Sequence, residues 1–393
     1  MFQSFQDILS QLLPEITGLR HEFHQHPEIR FEERWTSDRI AGFLDQAGIP
    51  YRRGLARGTG IIATLEGRGT RTVALRADMD ALEIQEETGL PYSSRIPDRM
   101  HACGHDGHMA CLCGVAKALA LRQDDLPGTV KFIFQPGEET AAGGRFMVAE
   151  GALEGVDGAF AFHGWPSLPV GYAAIKPGWA MAGAWDFRIT VKGAGCHAAD
   201  PGAGVDPVVV AAYVTTALQT LVSRELDPWE CGVVSVSVIQ AGNVTNIIPA
   251  TAELRGTTRA LKPEIHEAIA NGVRRIAEET AKAFRATAQV EFGPEPYPAV
   301  FNPQAMVDLV REAAVEVLGE ERFIELESPC MTAEDFAFYL REAPGAILYI
   351  GVNPEPGTSY PPLHNATFDF ADGALLPAME VMASIALRFL RTE

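Results

Sequence analysis

Apolar residues recur with helical spacing at Ile8, Leu12, Ile16, Leu19 and Phe23, which predicts a helix over residues 5–26. A second helix is expected from Thr36 to Ala47, N-capped by Thr36 or Ser37 and stopped at Gly48. Strand-like runs follow at 60–65, 72–77 and 129–134, with a buried helix over 108–121 between the last two. Helices alternating with strands predict an α/β fold, a mixed sheet covered by helices. The character changes near Ala182. Alternation at 186–192, a helix at 207–224, alternation at 232–241 and 250–259, a helix at 263–284 and a strand at 286–292 spell β-α-β-β-α-β. That order predicts a small ferredoxin-like α+β domain with helices on one face of an antiparallel sheet. We therefore expect a discontinuous domain, 1–181 and 293–393, interrupted by an inserted domain at 182–292. The proline-rich stretch from Pro294 to Pro298 serves as the return linker. The last hundred residues resume helices at 304–318, 333–342 and 375–390, with a strand at 346–350.

Charge narrows the class. With 32 basic against 51 acidic residues the net charge is -19, which argues against a nucleic-acid surface or anionic lipid as partner. The first 20 residues carry Asp7 and Glu15 and lack a basic start followed by an apolar run, so no signal peptide is expected. The most apolar stretch, 208–222, is too short and too interrupted to span a bilayer. Six cysteines in 393 residues do not make a disulfide framework, and a cytoplasmic location is expected.

The densest chemistry lies in His101-Ala102-Cys103-Gly104-His105-Asp106-Gly107-His108. In an extended backbone Cys103 and His105 share a face and can reach one metal cluster, and a thiolate has lone pairs enough to bridge two metals. Glu138 and Glu139 follow the strand at 129–134, where open α/β sheets keep their sites. Of two adjacent carboxylates, one can bind metal while the other faces a water, the division of labour that metal-assisted hydrolysis needs. His163 and His364 stand near further strand ends or loops. Asp78 and Asp80 flank a strand end, where a carboxylate can orient a ligand imidazole. His197 sits in a glycine-rich turn from which it can donate to an oxyanion. Arg259 can grip a carboxylate at two points, and Asn246 precedes Ile247-Ile248-Pro249. His21, His24 and His26 resemble a metal cluster only by count, and a helix C-terminus accounts for them. His101 and His108 read as supporting residues, and His266 as lying on an exposed helix face. Cys111 and Cys113 read as buried small hydrophobes, which disfavours a thiol redox protein.

Taken in order, Arg76-Ala77-Asp78-Met79-Asp80-Ala81-Leu82, 100–108, Gln135-Pro136-Gly137-Glu138-Glu139, Ala333-Glu334-Asp335-Phe336 and Pro362-Leu363-His364-Asn365 resemble the aminoacylase/carboxypeptidase-type metal-dependent amidohydrolases, peptidase family M20. The nearest branch is that of hippurate hydrolase, the auxin–amino acid conjugate hydrolases and N-acetyl-diaminopimelate deacetylase. The resemblance implies two divalent ions (zinc, manganese, cobalt or nickel) held by Cys103, His105, Glu139, His163 and His364. It implies Glu138 as the general base for a metal-activated water, and Asp80 as support behind the ligands. His197 matches a lid histidine that reaches a neighbouring subunit's site, and Asn246 and Arg259 match a substrate-carboxylate motif. A homodimer or higher oligomer through the inserted domain follows, as does an N-acyl amino acid substrate carrying an acetyl or aroyl group. Glu83, Cys196 and Cys330-Met331-Thr332 depart from that branch without touching an implied ligand. A dipeptidase or carboxypeptidase using the same centre is the alternative reaction, and a non-catalytic metal-binding protein the alternative class.

Overall fold

The computed structural model describes residues 2–355, 357 and 359–392. The chain forms two compact units. One takes the chain up to Gly178, Phe301–Ser328 and from Asp335 onward, and the other takes Trp179–Val300 and Pro329–Glu334. The proline-rich stretch belongs with the second unit, because Tyr297 and Ala184 exchange both backbone hydrogen bonds. The strand Thr287–Phe292 is thus followed by eight more residues of the same unit.

The first unit is built on an eight-stranded mixed sheet. Its middle strands are parallel: Thr72–Asp78 lies between Thr129–Gln135 and Gly158–Pro169, and the last of these pairs with Gly345–Asn353. Every residue of Thr72–Asp78 and of Gly345–Asn353 is buried, as near-continuous apolar runs in a parallel sheet require. Parallel pairing puts Asp78 level with Gln135, so the loops that carry Asp80 and Glu138 leave the sheet at the same edge. The helices Phe2–Gln25, His105–Ala120 and Leu375–Phe389 pack on one another and on the central strands. In the first helix Phe5, Leu9, Ile16, Leu19 and Phe23 form the buried stripe, and Arg20 and His24 lie on it as well.

Several element ends differ from expectation for identifiable reasons. The second helix starts at Arg34, and its free amides at Trp35 and Thr36 donate to the Glu28 carboxylate instead of to Thr36 or Ser37 side chains. The expected helix at 333–342 begins only at Ala337. His163 lies inside a strand that continues to Pro169, not at its end.

In the second unit the strands run Gly232–Ala241, Thr251–Ala260, Gly183–Lys192, Thr287–Phe292 across an all-antiparallel sheet. With helices Pro207–Thr220 and Pro263–Ala283 this is the β-α-β-β-α-β order. Phe187, Ile189 and Val191 pack under the helices with Val214, Leu254 and Val273, while Arg188 and Lys192 alternate onto the open face. Among the described residues no helix is long and apolar enough to cross a membrane.

Candidate metal centre

Cys103 and His105 do not share an extended strand. Gly104 between them is left-handed (φ +88°), and a Cβ there would sit 3.1 Å from the Phe370 ring. The reversal at Gly104 makes His105 the first residue of a helix buried except at Lys117 and Ala120 and brings its ring back toward the thiol. His105 Nδ1 donates to the Asp80 carbonyl at 2.8 Å, and His163 Nδ1 to the Gly164 carbonyl at 2.8 Å. Each bond fixes the tautomer and leaves Nε2 as the lone-pair nitrogen.

Those nitrogens converge. Cys103 Sγ lies 3.4 Å from His163 Nε2, and His364 Nε2 lies 3.1 Å from Glu139 Oε1. His105 Nε2 stands 4.0 Å from the same Glu139 oxygen. The donors fall into overlapping sets, Cys103 with His105 and His163, and Cys103 with Glu139 and His364; within each set the ligand atoms lie within 4.8 Å of one another. Cys103 is common to both. All five expected donors therefore meet in the first unit. His364 sits at a left-handed position (φ +62°), with its backbone N–H donating to the Ala102 carbonyl, which ties the loop 359–371 to the cysteine segment.

The acidic pair is held from below. The short helix Glu138–Ala141 starts after left-handed Gly137. Asp80 Oδ1 and Oδ2 accept the Glu138 and Glu139 amides at 2.9 and 3.1 Å. Asp80 thus supports His105 through its carbonyl and the acidic pair through its carboxylate. Glu138 Oε1 receives the Asp335 N–H at 3.4 Å.

Three features fit this cluster to divalent cations. His105 Nε2 is buried and lacks a hydrogen-bond partner. The Cys103 thiol is pushed far up by burial and by the neighbouring Glu139, Glu138 and Asp78, so a cation is needed to hold it as thiolate. Burial opposes charge on His105, but Asp78, the Asp80 bond and Glu139 raise its pKa to about 10, the mark of negative charge in want of a counter-ion. A mixed sulfur, nitrogen and oxygen donor set suits zinc or its first-row neighbours.

His108 is engaged elsewhere, as expected of a supporting residue. Its Nδ1 donates to Asp78 Oδ1 at 2.7 Å and its Nε2 accepts the Gly164 N–H at 2.9 Å. His101 is buried with neither ring nitrogen bonded, and burial lowers its pKa to about 3. His24 is set by specific carboxylates rather than by a helix end: its nitrogens meet Asp106 at 2.9 Å and Glu86 at 3.3 Å. His266 is buried, not exposed, with Nε2 2.9 Å from the Thr258 hydroxyl.

Sequence reasoning passed over the braces. Arg76 donates to Gln135, Asp78 and Asp335 at 2.9, 2.7 and 2.7 Å, and Asp335 also accepts the Gly144 amide. Arg76 and Asp335 lay inside the quoted motifs, but their partnership spans 259 positions and no periodicity encodes it. A cavity of about 190 Å³ beside the centre is lined by Asp80, Glu139, Thr140, Ile29, Leu82 and Ile84. The larger cavity, about 610 Å³ along the helix Gln304–Leu318, contains none of the donors.

His197, Asn246 and Arg259 lie in the second unit. His197 is exposed and its Nδ1 accepts the Ala199 N–H at 3.0 Å, which leaves Nε2 as the nitrogen that can donate. His197 pairs with Ile247, and the Asn246 carbonyl accepts the Ala198 amide, so these turns are stitched together. Arg259 is half-buried and donates to the Thr257 hydroxyl and the Thr258 carbonyl.

The model of peptidase family M20/M25/M40 matches residues 74–388. N-acetylcysteine deacetylase of Bacillus subtilis (strain 168) is 39% identical over 96% of this chain and 97% of its own length. IAA-amino acid hydrolase ILR1-like 5 of Arabidopsis thaliana is 36% identical over 95% of this chain and 86% of its own. Among solved structures, the Bacillus subtilis YXEP protein, described as a dinuclear metal binding peptidase from the M20 family, superimposes with a TM-score of 0.84 at 35% identity, covering 98% of this chain and 99% of that one.

Proposed function

The chain belongs to peptidase family M20/M25/M40 and is a hydrolase of amide bonds; from that premise we propose that it hydrolyses N-acyl amino acids. The observation that carries this reading is the position of Glu138: it is buried, adjacent in sequence to the donor Glu139, and anchored through its own amide to Asp80. When bound, divalent ions at Cys103, His105, Glu139, His163 and His364 supply Lewis acidity to the scissile carbonyl and lower the pKa of water. Glu138 takes the water's proton and returns it to the leaving amine. The partner subunit's His197 donates Nε2–H to the developing oxyanion, and Arg259 recognises the carboxylate of the amino acid. The reactions for which the two relatives are named, deacetylation of N-acetylcysteine and hydrolysis of an amino acid conjugate, support an acyl–amino acid substrate.

We also assign a homodimer to the second unit, supported by exposed Val208, Val209 and Tyr213 on its first helix and Ile239 on an edge strand. All six cysteines are free, in keeping with a reducing cytoplasm. The experiment is a hydrolysis panel of acetyl, benzoyl and indoleacetyl amino acids beside free dipeptides, on metal-reconstituted protein, with the mass in solution measured in parallel. Turnover of acylated amino acids in preference to dipeptides is expected. Preference for free dipeptides makes the chain a dipeptidase, and an inert metal-loaded protein removes catalysis altogether. A monomer in solution removes the dimer.

A further inference from the structure

One buried acid in the first unit belongs to no donor set. Glu33 is fully buried at the entrance of the helix Arg34–Ala47. Its side chain does not cap that helix; both oxygens point away. Oε1 accepts the Gly137 N–H at 3.0 Å and Oε2 accepts the Thr59 hydroxyl at 3.0 Å. The acid and its glycine partner are 104 positions apart.

Gly137 is the residue before Glu138. With Asp80 on the next two amides, three consecutive N–H groups, 137 to 139, donate to two buried carboxylates. Gly137 is left-handed (φ +65°), and a Cβ there would lie 3.1 Å from the Phe31 ring. Phe31 is itself left-handed (φ +60°), and its ring packs edge-on against Phe146. The turn is therefore gripped by an aromatic wall on one side and a hydrogen bond on the other. A buried carboxylate carries a desolvation cost unless its partners offset it. Here Gly137, Thr59 and the Phe31 and Glu33 amides are all neutral donors, and Gly137 carries the peptide that aims the acidic pair.

The geometry points to Glu33 as a positioning residue, which fixes the Pro136–Gly137 peptide and thereby the direction in which Glu138 and Glu139 leave the turn. Among the described residues Glu33 hydrogen-bonds none of the five metal donors. Its work needs an acceptor at Oε1 and a partner for Thr59, not a charge. Glutamine supplies both, an amide oxygen for Gly137 and an NH₂ for Thr59. Alanine supplies neither. Aspartate, one methylene shorter, cannot span both.

The inference rests on the proposed hydrolytic role of Glu138, and its test has one arm independent of that role. Full-length metal-loaded parent, Glu33→Ala, Glu33→Asp and Glu33→Gln are compared by amide hydrogen exchange across 133–142 and by kcat and KM on the best substrate of the panel. In Glu33→Ala we expect exchange at 137–139 to accelerate and kcat to fall about tenfold or more, the scale for loss of a supporting partner, with KM and metal content near parental values. Glu33→Gln restores both readouts. Should Glu33→Ala fail to fold, Glu33→Asp gives the same reading. Parental exchange in a folded Glu33→Ala or Glu33→Asp overturns the inference, as does a Glu33→Gln protein as impaired as Glu33→Ala. If the parent turns over no acyl amino acid, the functional reading fails while the exchange arm still judges Glu33.

Discussion

In the first unit Arg20, Arg76, Asp78, Asp106 and Asp335 are almost fully buried, and each meets at least two charged or polar partners. In the second unit Arg188 and Arg255 remain about half exposed, and each trades a single contact with Glu253, at 3.6 and 3.2 Å. Arg20 binds Asp106, Asp369 and Asp372 at 3.1, 2.9 and 2.8 Å. The contrast separates two uses of charge. A buried ion taken from water needs close partners, and a network of such partners holds its members in one geometry. An exposed pair is screened and leaves its members free to move. Cys103, His105 and His163 are buried as that network is, whereas the donor His364 is half exposed. His197 and Asn246 stand in the second kind of surroundings, fit for contacts made only when a ligand arrives.

The largest effect expected is catalytic. Glu138→Gln should keep its metals, because its anchor to Asp80 is a backbone amide, and lose about 10²- to 10⁴-fold in kcat. Parental turnover in that variant removes Glu138 from proton transfer. Next comes the buried network: Arg20→Met takes the guanidinium from Asp106, which keeps His24, and from Asp369, which keeps the Tyr92 hydroxyl, and should cost about 3–5 kcal/mol in urea unfolding. A smaller loss would mean that water reaches those carboxylates.

Third is a pH effect. Burial opposes the charged form of His24, but Asp106 and Glu86 raise its pKa to about 9, above the ordinary 6.5. The stabilisation it contributes is present in full below pH 6.5 and is lost as pH rises through 9. The parent should therefore lose roughly 3 kcal/mol more than His24→Gln between those limits. Equal losses would show that His24 is neutral in the folded protein. The smallest effect falls on the second unit, where Arg188→Met should change stability by less than about 1 kcal/mol. A loss comparable to that of Arg20→Met would erase the contrast.

Which parts were legible in the sequence follows the same physics. Helices and strands announce themselves because their periods are local: the helix Gln304–Leu318 and the β-α-β-β-α-β order are written in successive residues. The donors were legible because their side chains are chemically rare and stand in short motifs. The supports were not. Glu33 sits in no motif, and its bond to Gly137 crosses 104 positions; Arg20 reaches Asp372 across 352. Even a short spacing misled at Cys103–His105, because one left-handed glycine exchanged an extended strand for a helix start.

We propose that a single thiolate, Cys103, belongs to both halves of a dinuclear centre. Anomalous diffraction from a crystal of the metal-loaded protein, recorded on both sides of the metal's absorption edge, tests it most directly. Two peaks are expected, each within about 2.3–2.5 Å of Cys103 Sγ, one beside His105 and His163 and the other beside Glu139 and His364. A lone peak among Asp78, His105 and His108, the competing donor set that excludes the thiol, would contradict it.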